Sequence, residues 1–355
     1  MNDTSFLEEI RSQPEALRKL AGYYRGDEGV SLVKKAAAEI LRARKVVAAG
    51  MGSSLYSLYL LEMETVGIVP ALEIRDASEL LHFGMSSFRG DETIVAVSQS
   101  GESAGTKKVV EALEGRVRIV SIVNDMTSFM GMHADIVLPL CAGDERTIST
   151  KTYTNTLAVL SMLSVCINGG DMSGETDLID RAADLMERHF DDSARAAEQA
   201  ADYFERVTCL HCIARGGNMV AARQLALILK EGAGVFAEAL TAGQFRHGPI
   251  ELAGAGHAAV CIMSGGCEPY LTAGLAAEIA GLGSRILVLT DSEGEYGFPH
   301  ESTLMNVHIE TGGLPSRYFP VVGAPFMEYF VHWLALGRGR TAGSFIHATK
   351  ITTRE

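Results

Sequence analysis

The sequence repeats one plan twice, and this repeat limits the folds that the chain can adopt. Each half reads as strand, turn, helix, then strand, turn, helix, then a third strand. The matched strand ends lie at a nearly constant offset: Gly52 with Gly217, Ser98 with Ser264, and Asp125 with Asp291. Strands that alternate with helices predict parallel sheets covered by helices, in a doubly wound α/β arrangement.

The length of 355 residues favours two domains. We place the first at residues 1–175, an N-terminal helical segment plus the first α/β half. The second, residues 176–355, holds linking helices, the other α/β half and a C-terminal tail. Further expectations are helical spacing at residues 3–44, a buried helix at 153–167, a loop at 169–175 and one or two linking helices at 175–206.

Charge and hydropathy exclude some classes of partner. The formal net charge of −13 argues against a general nucleic-acid binder or an anionic membrane surface. The N-terminus, MNDTSFLEEI, has no basic segment followed by an apolar core, and apolar runs such as residues 157–167 are shorter than a membrane span. We therefore expect a cytoplasmic protein without nucleic-acid or membrane partners.

The six cysteines do not form a metal-binding pattern. Cys209 and Cys212 form the motif CLHC, but no second CxxC follows at the spacing of a zinc site. The segment alternates like a strand, on which residues three apart point to opposite faces. We expect reduced thiols and no metal; the remaining cysteines are Cys141, Cys166, Cys261 and Cys267.

Four hydroxyl or amide side chains surround one glycine at the end of an apolar strand, in TIVAVSQSGES. A helix that begins near Ser103 has free N–H groups and the positive end of the helix dipole at its N-terminus. Gly101 allows close backbone approach, and hydroxyls with free N–H groups suit a phosphate. The alternative is that Ser103 only caps the helix. The candidate ligands are Ser98, Gln99, Ser100 and Ser103.

A second glycine-rich turn, GMGSS, follows the strand at residues 45–50 and precedes a helix expected from about Leu55. A GxG turn after a strand also fits a dinucleotide-binding fingerprint, but the third glycine and the spaced acidic residue are not in place. Ligands of doubly wound folds bind at the carboxyl ends of the strands. Both turns are therefore expected on the ligand-binding edge.

At this point an ordered set of motifs resembles the sugar isomerase (SIS) family. In particular it resembles the isomerase half of glucosamine-6-phosphate synthase and SIS-type amino-sugar-phosphate deaminases, over nearly the whole chain. The motifs are GSS (52–54), ASEL (77–80), SQSGES (98–103), STK (149–151), LKE (229–231), FRHGP (245–249) and ATK (348–350). The resemblance implies two tandem flavodoxin-like SIS domains flanked by helices.

The resemblance also implies roles for individual residues. Glu231 matches the general base that moves a proton between C1 and C2, and His247 matches the histidine of ring opening, which reaches in from a neighbouring subunit. Lys350 matches the tail lysine that closes over the sugar. Substrate and phosphate contacts fall on Gly52, Ser53, Ser54, Ser98, Gln99, Ser100, Ser103, Thr147 and Ser149.

These residue types suit aldose–ketose chemistry. A carboxylate can take a carbon-bound proton and return it to the neighbouring carbon, and histidine titrates near neutrality, as ring opening requires. Glu231 follows an apolar helical run, so we expect partial desolvation of its carboxylate. Enediol chemistry of this type needs no cofactor.

The sequence departs from the family synthases at two places. Those enzymes begin with a glutaminase domain whose nucleophile is an N-terminal cysteine, whereas here Asn2 follows Met1. We therefore expect no glutaminase domain. They also carry a lysine three residues before the base, where this chain has Ile228. This second difference leaves the substrate open.

The leading hypothesis is a phosphosugar isomerase or deaminase that acts on an amino-sugar 6-phosphate. The example is glucosamine 6-phosphate plus water giving fructose 6-phosphate plus ammonia. A deglycase of phosphorylated fructosyl-amino acids and a plain aldose–ketose isomerase are close variants. A non-catalytic phosphosugar-binding regulator is the alternative of another class. A role of His247 across subunits implies a homodimer with shared active sites.

Overall fold

The computed structural model describes residues 5–69, 71–266, 268–292 and 303–352. The chain divides into two compact units. The unit that we call the first comprises Ser12–Glu145, Ser149–Ala183 and Ile346–Glu355. The second comprises Met1–Arg11, Arg146–Ile148 and Asp184–Phe345. Each unit contains one sheet with its own helices.

The first unit is built on a five-stranded parallel sheet in the order β2-β1-β3-β4-β5. The strands are β1 (Lys45–Gly50), β2 (Leu72–Asp76), β3 (Glu92–Ser98), β4 (Arg118–Val123) and β5 (Ile136–Pro139). Every residue of the central strand β3 is buried. Continuous burial explains its near-continuous apolar sequence, since central parallel strands are covered on both faces.

The second unit repeats this topology. Its strands are β6 (Cys209–Ala214), β7 (Phe236–Thr241), β8 (Ala258–Met263), β9 (Arg285–Thr290) and β10 (Leu304–His308). They pair in parallel in the order β10-β9-β8-β6-β7. Read from the other edge, this is the strand order of the first sheet. The predicted pair of doubly wound sheets is confirmed.

Each sheet holds two strands beyond the three predicted from the repeat. The additional strands are β2, β5, β7 and β10, and each has partly exposed positions. The predicted strands correspond to β1, β3 and β4 and to β6, β8 and β9. Because the additional strands are incompletely covered, their sequences lack the long apolar run that marked the others.

Fifteen α-helical segments occur in the described part of the chain. They are α1 (Ser5–Arg11), α2 (Gln13–Arg25), α3 (Asp27–Arg42), α4 (Gly52–Glu64), α5 (Ala77–Glu79), α6 (Ala104–Leu113), α7 (Phe129–His133), α8 (Lys151–Ile167), α9 (Met172–Arg188), α10 (Phe190–Tyr203), α11 (Met219–Ile228), α12 (Ala242–Arg246), α13 (Pro269–Gly281), α14 (Phe319–Val322) and α15 (Ala324–Gly337).

Helix α6, which follows the serine-rich turn, packs into the core of the first unit. Its residues Val109, Val110 and Leu113 are fully buried against the apolar side chains of β1 and β3, such as Val47 and Ile94. This burial fixes the N-terminus of α6 beside the carboxyl end of β3. The packing therefore holds the predicted phosphate turn in place.

Two predicted boundaries need correction. The expected loop at residues 169–175 is shorter, because α9 already begins at Met172. The Asp171 carboxylate accepts a hydrogen bond from the Ser173 N–H (3.1 Å) and stabilises the first turn, so Gly174 lies inside the helix. Helix α4 begins at Gly52 rather than near Leu55. Gly52 has φ +52°, a conformation that favours glycine.

Two of the three cysteines in the strands of the second sheet, Cys212 and Cys261, are buried. Cys209 at the start of β6 is exposed and Cys212 is buried, as expected for residues three apart on a strand. Burial raises the pKa of the Cys212 thiol far above its usual value and that of the Cys261 thiol to about 12. Cys267 lies outside the described residues.

One segment of the described chain, Ser316–Gly337, is long and apolar enough to cross a membrane. Most of this segment is buried inside the protein. The core helices of proteins that do not enter membranes can have the same length and composition. The segment contains α14 and α15, and α15 packs against α10.

A histidine pair in the second unit, with His211 buried and His257 half-buried, predicts a pH dependence of stability. His211 Nδ1 lies 3.1 Å from His257 Nε2, and His257 Nδ1 lies 2.9 Å from Ser284 Oγ. Burial, with a smaller contribution from His211, lowers the pKa of His257 to about 4. Between this value and the ordinary 6.5, the unfolded chain binds more protons than the folded one.

The contribution of His257 to stability should therefore be fully present above pH 6.5 and fall as the pH decreases from 6.5 towards 4. The contribution of one histidine has a maximum slope of about 1.4 kcal/mol per pH unit. The measurement is denaturant unfolding at several pH values for the protein and for His257→Asn, which we expect to have a smaller slope. Equal slopes for the two proteins would contradict this assignment.

Candidate functional site

The two predicted ligand turns lie next to each other at the carboxyl edge of the first sheet. Strand β1 ends at Gly50 and β3 at Ser98, and the two strands are paired neighbours. A Cβ on Gly50 would lie 3.2 Å from the Val97 carbonyl, so the strand ends approach closely. The strand order reverses between β1 and β3, which is the switch point where doubly wound folds bind ligands.

Hydrogen bonds within residues 98–103, the serine turn, hold its shape. The Ser98 hydroxyl is buried, accepts a hydrogen bond from the Gly101 N–H (3.1 Å) and donates to Ser103 Oγ (3.3 Å). Ser100 Oγ accepts from the Glu102 N–H at 3.2 Å. Ser103 occupies the N-cap position of α6 without a capping hydrogen bond from its side chain. The simple capping role considered for Ser103 is therefore absent.

Gly101 is required by packing within the protein. Its φ is +64°, and an added Cβ would lie 1.9 Å from Ser128 Oγ. The Gly101 carbonyl accepts a hydrogen bond from the Met130 N–H, while Ser128 caps α7. The sequence suggested that this glycine admits a ligand, whereas the observed close neighbour is a side chain of the loop after β4.

Glu102, also in the serine turn, links α6 to α7. Its carboxylate accepts hydrogen bonds from the Phe129 N–H (2.6 Å) and from Lys107 Nζ (2.7 Å). The hydrogen bond from Lys107, followed by that from the Phe129 N–H, holds the pKa of Glu102 below its ordinary value. A carboxylate beside a phosphate would repel it, and Lys107 offsets this charge.

The other predicted turn residues are accessible. Gly52, Ser53 and Ser54 form the first turn of α4 and are half-buried, as is Gln99. The Ser54 carbonyl accepts a hydrogen bond from Ser57 Oγ at 2.9 Å. The first unit therefore brings the glycine-rich turn and the serine turn together on one edge.

Glu231 lies in a π-helical turn of the second unit, Leu229–Ala233. Single π-turns inside or beside α-helices frequently occur at functional sites. Gly232 is packed so tightly that an added Cβ would lie 2.4 Å from Val331 Cγ1 of α15. Glu231 itself is exposed, so the expected partial desolvation of its carboxylate is not found.

His247 is the C-cap residue that follows helix α12 of the second unit, and it is exposed. Thr241 and Gln244 form a reciprocal capping box at the start of this short helix, and Phe245 is fully buried. Gly248 follows with φ +126°, which favours glycine, and Pro249 begins a 3₁₀ turn. These features fix the backbone around His247.

Thr147 and Ser149 fall in different units. Thr147 is buried in the second unit, where its hydroxyl donates to the Glu9 carboxylate of α1. This hydroxyl therefore supports the loop through Glu9, a residue that the sequence analysis did not single out. Ser149 belongs to the first unit and is half-buried just before α8.

Lys350 has a partner that the sequence analysis missed. Its Nζ lies 2.6 Å from Glu145 Oε2, and both residues belong to the first unit. The Glu145 side chain is fully buried and also accepts hydrogen bonds from the N–H groups of Thr150 and Thr152. The sequence feature that could have indicated this role is the position of Glu145, an acidic residue shortly before the N-terminus of α8.

No group of three or more His, Cys, Asp or Glu side chains is arranged to hold a metal ion within the described ranges. The serine turn offers hydroxyl and backbone N–H groups, and Glu231 and His247 are exposed side chains of the acid–base type. A parallel α/β unit with a serine-rich turn at its switch point places the chain among the doubly wound α/β proteins.

Comparison with known proteins shows which family and which solved structures the chain resembles. Residues 39–166 match the SIS domain family. The C-terminal domain of glucosamine-fructose-6-phosphate aminotransferase from Francisella tularensis superposes with a TM-score of 0.86 at 21% identity, covering 97% of this chain and 98% of that one. Glucosamine-6-phosphate deaminase from Thermotoga maritima gives 0.76 at 19% identity, covering 98% and 99%.

A sequence relative agrees with these structural matches. Glutamine–fructose-6-phosphate aminotransferase (isomerizing) from Pyrobaculum aerophilum is 28% identical over 342 residues, which is 94% of this chain and 54% of the relative. The chain thus spans about half the length of the curated relatives it matches. The predicted resemblance to the SIS family is confirmed by these matches.

Proposed function

We propose that this protein is a phosphosugar isomerase and deaminase that acts on an amino-sugar 6-phosphate. In the proposed reaction, glucosamine 6-phosphate and water give fructose 6-phosphate and ammonia. The observation that carries the proposal is the serine turn at the β1/β3 switch point, which collects hydroxyl groups beside the N-terminus of α6.

The proposed roles follow the chemistry of the side chains. The serine turn and the GSS turn bind the phosphate ester, and Glu231 transfers a proton from C2 to C1. His247 opens the sugar ring, and Lys350 acts from the tail. Transfer of the C2 proton leaves an imine at C2, and attack of water on that imine releases ammonia and forms the ketose.

Three features support these assignments. Glu231 and His247 are both exposed on backbone segments held by close packing, as expected for groups that meet a substrate. The exposure of His247 suits the proposed homodimer, in which it acts on the substrate of the partner subunit. A relative covering most of this chain bears the name of an isomerizing aminotransferase.

Release of ammonia tests the proposal directly. The purified protein is incubated with glucosamine 6-phosphate, and ammonia and fructose 6-phosphate are measured together. We expect the two products in a one-to-one ratio, and none from unphosphorylated glucosamine, which cannot use the serine turn. A phosphorylated fructosyl-amino acid serves as the comparison substrate. Preferred turnover of that compound would favour a deglycase, and binding of both without turnover would favour a regulator.

A further inference from the structure

The C-terminal tail packs on the first unit through two specific contacts. The described part of the tail, residues 346–352, belongs to this unit. The Thr352 carbonyl accepts a hydrogen bond from the N–H of Ala104 (3.0 Å), the first residue of α6. The second contact joins Lys350 and Glu145. The tail therefore reaches the helix that follows the serine turn.

The contacts of the Glu145 carboxylate favour its ionised form, although the side chain is buried. Its Oε1 accepts from the N–H groups of Thr150 (2.9 Å) and Thr152 (3.0 Å), and its Oε2 accepts from Thr152 Oγ1 (2.7 Å). The carboxylate thus sits at the N-terminus of α8, where the helix dipole favours negative charge. Burial alone would raise the pKa of Glu145, but Lys350 and the threonine donors outweigh it and lower the pKa.

The rest of the described tail has little burial to fix its position. Residues 346–349 and Thr352 are exposed, and Ile346 keeps 62% of its surface accessible. Lys350 is the better covered residue, with a side chain 21% exposed. Only the Glu145 side of the ion pair is fully buried, and separation from Lys350 would leave this carboxylate without its compensating charge.

We propose that Glu145 is the positioning residue for the tail: it fixes the register that brings Lys350 and Thr352 onto the first unit. The proposal deepens the proposed function, because it names the residue through which Lys350 acts. Glu145 has no assigned contact with the substrate. Its effect on turnover passes through the placement of Lys350.

Hydrogen exchange of the unliganded protein tests the anchoring, independently of any activity. The variants are Glu145→Gln, which keeps the size of the buried side chain, Lys350→Gln, which changes only the tail partner, and the double variant. We expect about tenfold faster exchange of the Ala104 amide and of residues 346–352 in each single variant. The double variant should add nothing further, because both changes remove one interaction.

The matched control is Asp180→Asn, which removes an exposed ion pair with Arg25 in the same unit and should leave exchange of the tail unchanged. Unchanged exchange in Glu145→Gln, or additive effects in the double variant, would overturn the anchoring. Lys350→Gln keeps the test valid if Glu145→Gln fails to fold.

Turnover then tests the positioning role separately. If Glu145 acts through Lys350, both single variants lower kcat by a similar factor and the double variant is no slower. Full kcat in Glu145→Gln alongside an inactive Lys350→Gln would overturn the positioning role. Absence of turnover in the unmodified protein would reject the proposed function, while the exchange result would still stand on its own.

Discussion

Glu231→Gln is expected to lower kcat for the amino-sugar phosphate by about a thousandfold. General acid–base groups typically contribute between about 10² and 10⁴ in rate, and glutamine cannot accept the C2 proton. The amide keeps the size of the side chain, and the π-turn is held by Gly232 against Val331. The backbone should therefore stay in place, and the variant should fold normally.

Binding should survive this change, because the phosphate contacts are assigned to the serine turn. We expect the Kd for glucosamine 6-phosphate, measured by calorimetry, to change by less than about threefold. The control is Glu205→Gln, the same chemical change at another exposed glutamate of the second unit, which should keep full activity. A Glu231→Gln protein with near-normal kcat would show that another group is the base.

Gly101→Ala is expected to disrupt the serine turn. An alanine at φ +64° costs about 1–2 kcal/mol, and its Cβ would also overlap Ser128 Oγ, which lies 1.9 Å from the added atom. The turn must shift to relieve this overlap, and the shift would break the Gly101 to Ser98 hydrogen bond. We expect destabilisation above about 3 kcal/mol and at least a tenfold loss of phosphosugar affinity.

Gly115→Ala is the matched control for this prediction. Gly115 lies in the same unit with φ +69°, and an added Cβ there meets no atom within 4 Å. It should show only the backbone cost of about 1–2 kcal/mol and normal affinity. Adding Ser128→Gly to Gly101→Ala should recover part of the lost stability, since it removes the overlapping atoms. Equal destabilisation in the two alanine variants would contradict the packing explanation.

The sequence predicted the central strands of both sheets but not the edges. Strands β3 and β8 are buried at every position, so their apolar runs and the turns that follow were visible. Strand β7 is buried at one position, and its mixed sequence carries no such signal. The start of α9 at Met172 was also missed, because the Asp171 cap stabilises a helix through a glycine-rich segment.

The sequence indicated the residues of the candidate site but not the residues that contact and support them. The serine turn was identified because its residues are adjacent in sequence. The partners that support the site lie far apart along the chain: Ser128 against Gly101, Glu9 at Thr147 and Glu145 at Lys350. Periodicity and motif spacing report local structure, so such long-range pairs require the folded chain.

A crystal structure of Glu231→Gln with glucosamine 6-phosphate would show where the phosphate ester binds. We expect the phosphate at the carboxyl ends of β1 and β3, within hydrogen-bond distance of Ser98, Ser100 or Ser103 and of backbone N–H groups of the serine turn. Density for the phosphate at any other edge of either sheet, with the serine turn unliganded, would contradict this expectation.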